Sequence, residues 1–312
     1  MSYNVLLSRI LRGSILVIGI LGNTIGLIIF SRKAFKNFPS RYVYIALALI
    51  DTFNLIFAIV RDLLISPSNY WSNLFVCKTF MFIAISFGAT SPWLLVFISV
   101  EKFISIRLPN FKLFRQQSFQ TAIVLAIILF NLVYNNPFIY SFTFVNQSKN
   151  ITVNISQFDF NHQVICYYDE NKRKLATILN LINSSLVPFL FMVIFSVLLV
   201  HTIMKSRLRV LRMSSNHDQS RLRKDIQFAI SSVAMNLFFL LFTFPFKFGH
   251  FLSNDPYTDL FFNLIFFLFY LSFCDNFYIL FFLNKIFNKQ VFILFGLKQQ
   301  LQPISQISQV HL

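Results

Sequence analysis

The hydrophobic positions of the chain fall into seven long apolar stretches separated by short polar segments. A helix needs roughly 20 apolar residues to cross the hydrocarbon core of a bilayer, and each stretch is long enough. The stretches are residues 13–31, 42–65, 77–106, 119–141, 176–204, 226–251 and 259–283. This pattern predicts an all-α membrane protein, a seven-transmembrane helix bundle in which residues 1–312 form a single domain.

Composition strengthens this prediction. The chain is 56% hydrophobic and only 12% charged, whereas soluble domains carry about 25% charged residues. Its 43 phenylalanines exclude a disordered chain. A length of 312 residues would allow two soluble domains, but the composition argues against that reading.

The positive charges predict the orientation. Of the 27 Lys and Arg residues, 18 lie in segments 32–41, 102–115 and 205–224 and in the tail. The positive-inside rule places these segments in the cytoplasm. The N-terminus, residues 1–8, is then extracellular and the tail, 284–312, is cytoplasmic. The expected partners of this net charge of +16 are membrane lipids and a cytosolic protein, and no nucleic acid.

The loop between the fourth and fifth spans carries marks of the extracellular side. Three glycosylation sequons begin at Asn146, Asn150 and Asn154; the alternative is chance matches in an Asn/Ser-rich loop. Cys77 opens the third span and Cys166 lies in this loop, so their pairing is the only one of three that joins two extracellular positions. Cys274 lies within the seventh span and is expected to be a packing residue.

Several polar residues lie at similar depths within different spans. An ionisable residue within a span indicates function by default, and Asp51 is such a residue. Asn23, Ser91, Ser272 and Asn276 can converge with Asp51 into a water-filled pocket that holds Na⁺ or a proton. The alternative is that these side chains only hydrogen-bond the helices together.

Short motifs follow one another along the spans in a recognisable order. They are Gly22-Asn23, Leu47-Ala48-Leu49-Ile50-Asp51, Trp71 before Cys77, Glu101-Lys102-Phe103 with Pro109, Pro188, Phe239 with Pro245, and Asn276-Phe277. Over residues 8–298 the chain resembles rhodopsin-like (class A) G-protein-coupled receptors. The Asn-Phe pair and Ser31-Arg32-Lys33-Ala34-Phe35 look like the invertebrate neuropeptide, FMRFamide-like, branch.

The resemblance implies a two-state receptor of the plasma membrane that binds an extracellular ligand and a heterotrimeric G protein. It assigns the switch to Glu101, Lys102, Phe103, Phe239, Pro245 and Asn276. Four positions depart from the family: Lys102 replaces an arginine, Ser196 and Leu280 replace tyrosines, and Thr243 replaces a tryptophan. We expect Lys102 to keep its ion pair with Glu101 but to lose the stacking of the arginine. The departures leave a coupling-deficient, receptor-like membrane interaction protein as an alternative.

The expected ligand is a small neuropeptide. Amine receptors carry an aspartate where this chain has the small neutral face of Ala84 and Gly88. The polar groups expected in the outer half are Arg61, Asp62, Asn180, Lys247, His250 and Tyr270. A mixed set of charges among aromatic residues favours a peptide over a lipid. The alternatives are snorkelling of Arg61 and Lys247 toward headgroups and an interfacial role for His250.

Residues 285–298 are predicted to form a short amphipathic eighth helix at the interface, with Phe287, Val291, Leu294 and Phe295 on one face. No catalytic motif is evident, so we expect no enzyme and no cofactor apart from Na⁺ at the Asp51 pocket. A secondary transporter is the rival class. Transporters show internal repeats and spans broken by Gly or Pro, and neither is visible here.

We predict that Cys77→Ser or Cys166→Ser lowers surface expression, because the bond holds the long loop. Flow cytometry of tagged receptor measures the loss, and Cys274→Ser is the control that leaves the bond intact. Normal expression with unchanged mobility on non-reducing gels contradicts the prediction.

Overall fold

A computed structural model describes residues 3–36, 38–64, 74–108, 111, 113–140, 142–146, 151–152, 164–168, 170–212, 216–252 and 260–297. The helices in this part of the chain are α1 (Tyr3–Ser31), α2 (Arg41–Leu64), α3 (Leu74–Arg107), α4 (Gln117–Asn135), α5 (Glu170–Leu181), α6 (Val187–Arg212), α7 (Asn216–Leu252), α8 (Leu260–Leu271), α9 (Asp275–Leu283) and α10 (Lys285–Leu294). Short 3₁₀ turns occupy Lys33–Phe35, Leu113–Arg115 and Asn136–Tyr140.

Most of the residues in these helices belong to seven membrane spans. Six are long and apolar enough to cross a membrane, and the bent pair α8–α9 makes the seventh. Apolar side chains such as Val133 and Phe282 are 75% exposed on the outside of the bundle, where a bilayer would cover them. Polar side chains such as Asp51 and Asn236 are fully buried inside it. This distribution confirms the predicted seven-transmembrane bundle.

The fourth and fifth spans differ from the predicted pattern. The fourth ends at Asn135, six residues before the predicted 141, and a 3₁₀ turn containing Pro137 follows. A proline disfavours helical geometry at the residue before it, which accounts for the early end. The fifth span consists of α5 and α6 joined by a π-helical turn at Ile182–Leu186.

A small antiparallel sheet follows α4 and defines one end of the bundle, called the sheet end below. Strand β1 (Phe142–Asn146) pairs with β2 (Ile151–Thr152) on one side and β3 (Val164–Tyr168) on the other, with Phe144 opposite Cys166. The first part of α3 contacts β1 and β3. The opposite end, where α1, α3 and α6 finish in basic sequence, is called the basic end.

The seventh span is broken although it contains neither glycine nor proline. The axes of residues 264–271 and 275–283 differ by 57°. At the break, the Ser272 hydroxyl donates to the Phe269 carbonyl (2.6 Å) and the Cys274 thiol donates to the Tyr270 carbonyl (3.4 Å). These side chains occupy carbonyls that a continuous helix would use, which is how serine-type residues bend helices. The break therefore forms without the Gly or Pro that the sequence analysis looked for.

The eighth helix, α10, begins at a strong cap. The Asn284 side chain accepts hydrogen bonds from the backbone N–H groups of Ile286 and Phe287, both at 3.1 Å, as an N-cap residue does. Phe287 and Val291, predicted to lie on a face at the membrane interface, are instead buried in the main apolar cluster of the bundle. Phe295 is 59% exposed and lies just beyond the end of the helix at Leu294.

We predict that Gly19→Ala destabilises the bundle. A Cβ atom at Gly19 would overlap the Cys274 sulfur and a Leu55 methyl group, and overpacking of this kind costs about 1–3 kcal/mol. Gly13→Ala on the same helix is the matched control, because its Cβ would meet nothing within 4 Å. Thermal unfolding of the purified protein in detergent measures both. Equal melting temperatures for the two variants would show that α1 does not pack on the break as described.

Candidate functional site

Asp51 is the centre of a buried hydrogen-bond network that joins three helices. Its Oδ1 accepts from the Ser91 hydroxyl on α3 (2.6 Å), and its Oδ2 accepts from the Asn276 amide on α9 (2.8 Å). All three side chains are buried. Asn23 and Ser272, the other predicted members, are buried too, but they donate to the Phe273 and Phe269 carbonyls rather than to Asp51.

Several oxygen atoms near this network have no hydrogen-bond partner among the described residues. They are Asn276 Oδ1 and both carboxylate oxygens of Asp275. Asp275 was not among the predicted site residues, although an acid within an apolar span was visible in the sequence. Carboxylate, amide and hydroxyl oxygens are the ligands that hard cations prefer. The donor set therefore fits a sodium ion.

A second buried cluster surrounds the predicted switch at the basic end. Lys102 Nζ lies 2.8 Å from Glu101 Oε2, and neither side chain is exposed. The Lys102 ammonium donates to the Ser40 hydroxyl, which in turn donates to Glu101 Oε2 (2.5 Å). Ser105 donates to the other carboxylate oxygen of Glu101 (2.9 Å). The expected ion pair is thus present, held by two serines.

Aromatic rings enclose the Lys102 ammonium. It lies 4.4 Å from the ring centroid of Phe38, in the first interhelical loop, and 5.6 Å from that of Phe228 on α7. The two rings are 4.2 Å apart. The expected loss of the arginine's stacking does not leave the ammonium without aromatic neighbours, because an ammonium needs no planar fork for a cation–π contact. Sequence analysis missed Ser40, Phe38 and Phe228, because no local pattern places them beside Lys102.

The middle of α7 is hydrogen-bonded to two neighbouring helices. The buried Asn236 amide donates to Ser99 on α3 (2.8 Å) and to Ser196 on α6 (2.9 Å). Ser99 also lies 3.1 Å from the Ser232 hydroxyl. Ser196, which the resemblance places at the position of a tyrosine, here connects α6 to α7. An amide within a span was the sequence signal for Asn236, which sequence analysis did not use.

Toward the sheet end, α7 presents Lys247 to the fifth span. The Lys247 ammonium donates to the Ser184 hydroxyl in the π-helical turn (2.9 Å). The neighbouring Asn183 binds the Trp93 indole (3.1 Å) and donates to Asn131 (2.9 Å). These bonds hold the π-helical turn, and with it Ser184, against α3 and α4.

The other described residues of the predicted site occupy varied positions. Gly88 lies on α3, where an added Cβ would meet nothing within 4 Å, and Ala84 lies one turn away. Tyr270 packs in an apolar cluster with Cys274, so Phe269, not Tyr270, is the α8 ring beside Lys247. The Asn180 carbonyl accepts from Ser184 (2.7 Å). Phe103 and Phe239 pack edge-on against Phe195 and Phe189, and Pro245 lies within α7.

The remaining predictions lie outside the part of the chain that the structure describes. Asn150 and Asn154 belong to the loop residues that are not described. The side chains of Arg61, Asp62, Cys77, Asn146, Cys166 and His250 are not described either, although their backbones are. The Cys77–Cys166 bond, the glycans and these three ligand contacts remain predictions.

A comparison with family models matches residues 22–279 to the rhodopsin family of seven-transmembrane receptors. No match is found among curated proteins. The members of this family are receptors and not enzymes. The family match and the apolar helices of this chain together support a multi-pass protein of the plasma membrane. The match covers most of the chain, from within α1 into α9, and includes both buried clusters, so the chain belongs to the rhodopsin family of seven-transmembrane receptors.

Proposed function

We propose that this receptor binds a small neuropeptide at the sheet end and transmits a conformational change to a heterotrimeric G protein at the basic end. The sheet end is then extracellular, with the N-terminus, and the basic end is cytoplasmic. The accumulation of Lys and Arg in the loops of the basic end supports this orientation.

The observation that carries the proposal is the course of α7. This one helix bears Lys247 toward the sheet end, Asn236 in the middle and Phe228 beside Lys102 at the basic end. A ligand that shifts α7 at one end therefore changes the surroundings of the switch lysine at the other. A receptor with two states needs such a connection, because a ligand acts only through its differential affinity for the states.

The residues that line the half of the bundle nearer the sheet end support a peptide ligand. Ala84 and Gly88 provide no aspartate for an amine, and Gly88 leaves open space. Phe246 and Phe269 lie beside a lysine, with ring centroids 5.9 and 5.6 Å from its ammonium. Aromatic surface combined with a cation suits the side chains and polar backbone of a short peptide.

The second candidate is a coupling-deficient, receptor-like interaction protein. The complete burial of Lys102 beneath Phe38 and Phe228 favours it. A cytosolic partner can reach the Lys102 ammonium only if the rings of Phe38 and Phe228 move away from it, so without that movement Lys102 contributes nothing to coupling. The two candidates therefore differ in whether these rings move. Nucleotide exchange on a G protein tests which candidate is correct.

We predict that Lys102→Arg strengthens coupling. Arginine restores the planar fork that forms bidentate hydrogen bonds, so we expect ligand-independent nucleotide exchange on a reconstituted G protein to rise at least twofold. Lys285→Arg, the same substitution at an exposed position on α10, is the control. Unchanged or reduced exchange in the Lys102 variant defeats the prediction.

We also propose that Na⁺ binds at Asp51 as an allosteric ion. Asp51, Ser91 and Asn276 would hold it, and the ion would favour the packing of α2, α3 and α9 seen here. Bound ligand stabilises the state that binds it.

The sodium proposal predicts that Asp51→Asn abolishes any Na⁺ dependence of ligand affinity. It also predicts a higher melting temperature of the ligand-free receptor in NaCl than in equimolar choline chloride, lost in Asp51→Asn. Asp275→Asn removes the neighbouring buried carboxylate of the same donor set and is expected to reduce the Na⁺ effect without abolishing it. If neither the melting temperature nor the ligand affinity of the wild-type receptor depends on Na⁺, the sodium proposal is contradicted.

A further inference from the structure

Lys247 is a partly buried cation in an apolar part of the bundle. Its ammonium donates one hydrogen bond, to the neutral hydroxyl of Ser184 (2.9 Å). Phe246 and Phe269 lie near it at the outer limit of cation–π distance. Two of the three hydrogen-bond donors of the ammonium are therefore left without a protein acceptor among the described residues.

The contrast with Lys102 shows what is missing at Lys247. Lys102 has a carboxylate 2.8 Å away and a serine that bridges the pair. Within the described residues, no Asp or Glu oxygen comes within ion-pair distance of Lys247. A charge taken out of water is costly unless it is paired. An unpaired Lys247 therefore lowers the stability of the folded receptor. Residues that reduce stability in this way are typical of binding sites, where function requires them.

The neighbouring helix α3 has open space beside it at one position. α3 packs against α7 and carries Gly88, where a Cβ would meet nothing within 4 Å. Thr243, one turn from Lys247 on α7, is short and bonds its own helix at the Phe239 carbonyl (2.5 Å). Gly88 on α3 and Thr243 on α7 are therefore both small.

We propose that Lys247 binds a carboxylate of the peptide ligand, supplied by an acidic side chain or a free C-terminus. The carboxylate completes the coordination of the ammonium that Ser184 begins. This inference rests on the proposed function, since it names the chemical group that the receptor recognises. It also predicts that a peptide without any acidic group is a poor ligand, even if its remaining side chains fit the aromatic wall.

The first test compares two pools of short peptides that are matched in sequence. One pool carries Asp, Glu or a free C-terminus, and the other carries Asn, Gln and an amidated C-terminus. We expect activation by the acidic pool, with potency reduced at least tenfold in Lys247→Met and retained in Lys247→Arg. Activation by the neutral pool with equal potency in wild type and Lys247→Met overturns the inference and leaves the receptor function intact.

A third arm uses saturated and unsaturated fatty acids, which offer the same carboxylate from a lipid. Activation by fatty acids alone, lost in Lys247→Met, overturns the peptide ligand proposed here while the receptor function stands. Activation by peptides alone supports the proposal as stated.

The second test needs no ligand. If Lys247 is kept for binding, Lys247→Met removes an unpaired charge, and the melting temperature of the ligand-free receptor rises by about 2 °C or more. If Lys247 holds the structure through Ser184, the melting temperature falls, and that fall overturns the inference even when no peptide activates the receptor. Lys78→Met, which removes a charge from α3 toward the sheet end, is the control and is expected to leave the melting temperature unchanged.

Discussion

The buried ion pair of Glu101 and Lys102 is the interaction on which the basic end depends. Moving ions out of water costs several kcal/mol each, and mutual attraction repays this only with good geometry and further hydrogen bonds. Ser40, Ser105 and the ring of Phe38 supply these contacts. Because they come from α3 and from the segment that leads into α2, the pair stays satisfied only while these elements keep their present arrangement.

The same constraint extends along α7. Phe228 covers Lys102, Asn236 bonds α3 and α6, and Lys247 faces the fifth span. In the proposed mechanism, opening of the basic end moves Phe228 and thereby shifts the helix that carries Lys247. Linkage then works in both directions: a ligand that favours one position of α7 alters affinity for the cytosolic partner, and the partner alters affinity for the ligand.

Sequence predicts the spans well because the bilayer imposes a length and an apolar composition that can be read locally. It also placed Asp51, Ser91 and Asn276 in one network, because intramembrane polar groups must find partners. It failed where three-dimensional neighbours decide the outcome. The break after Leu271 arises from side chains bonding their own backbone, and the enclosure of Lys102 depends on Phe38 and Phe228, which are 190 residues apart in the sequence.

The central claim is that the buried Lys102 pair holds α7 closed at the basic end. The distance between α7 and α4 at the basic end tests this claim. Spin labels at Lys224 on α7 and Ala122 on α4, both exposed, report it by pulsed electron paramagnetic resonance in a Cys274→Ser background. Glu101→Gln removes the counter-charge, and breaking a buried pair costs about 3–5 kcal/mol. The account predicts a longer label separation in the Glu101→Gln receptor than in wild type. An unchanged distance distribution in a folded Glu101→Gln receptor would contradict it.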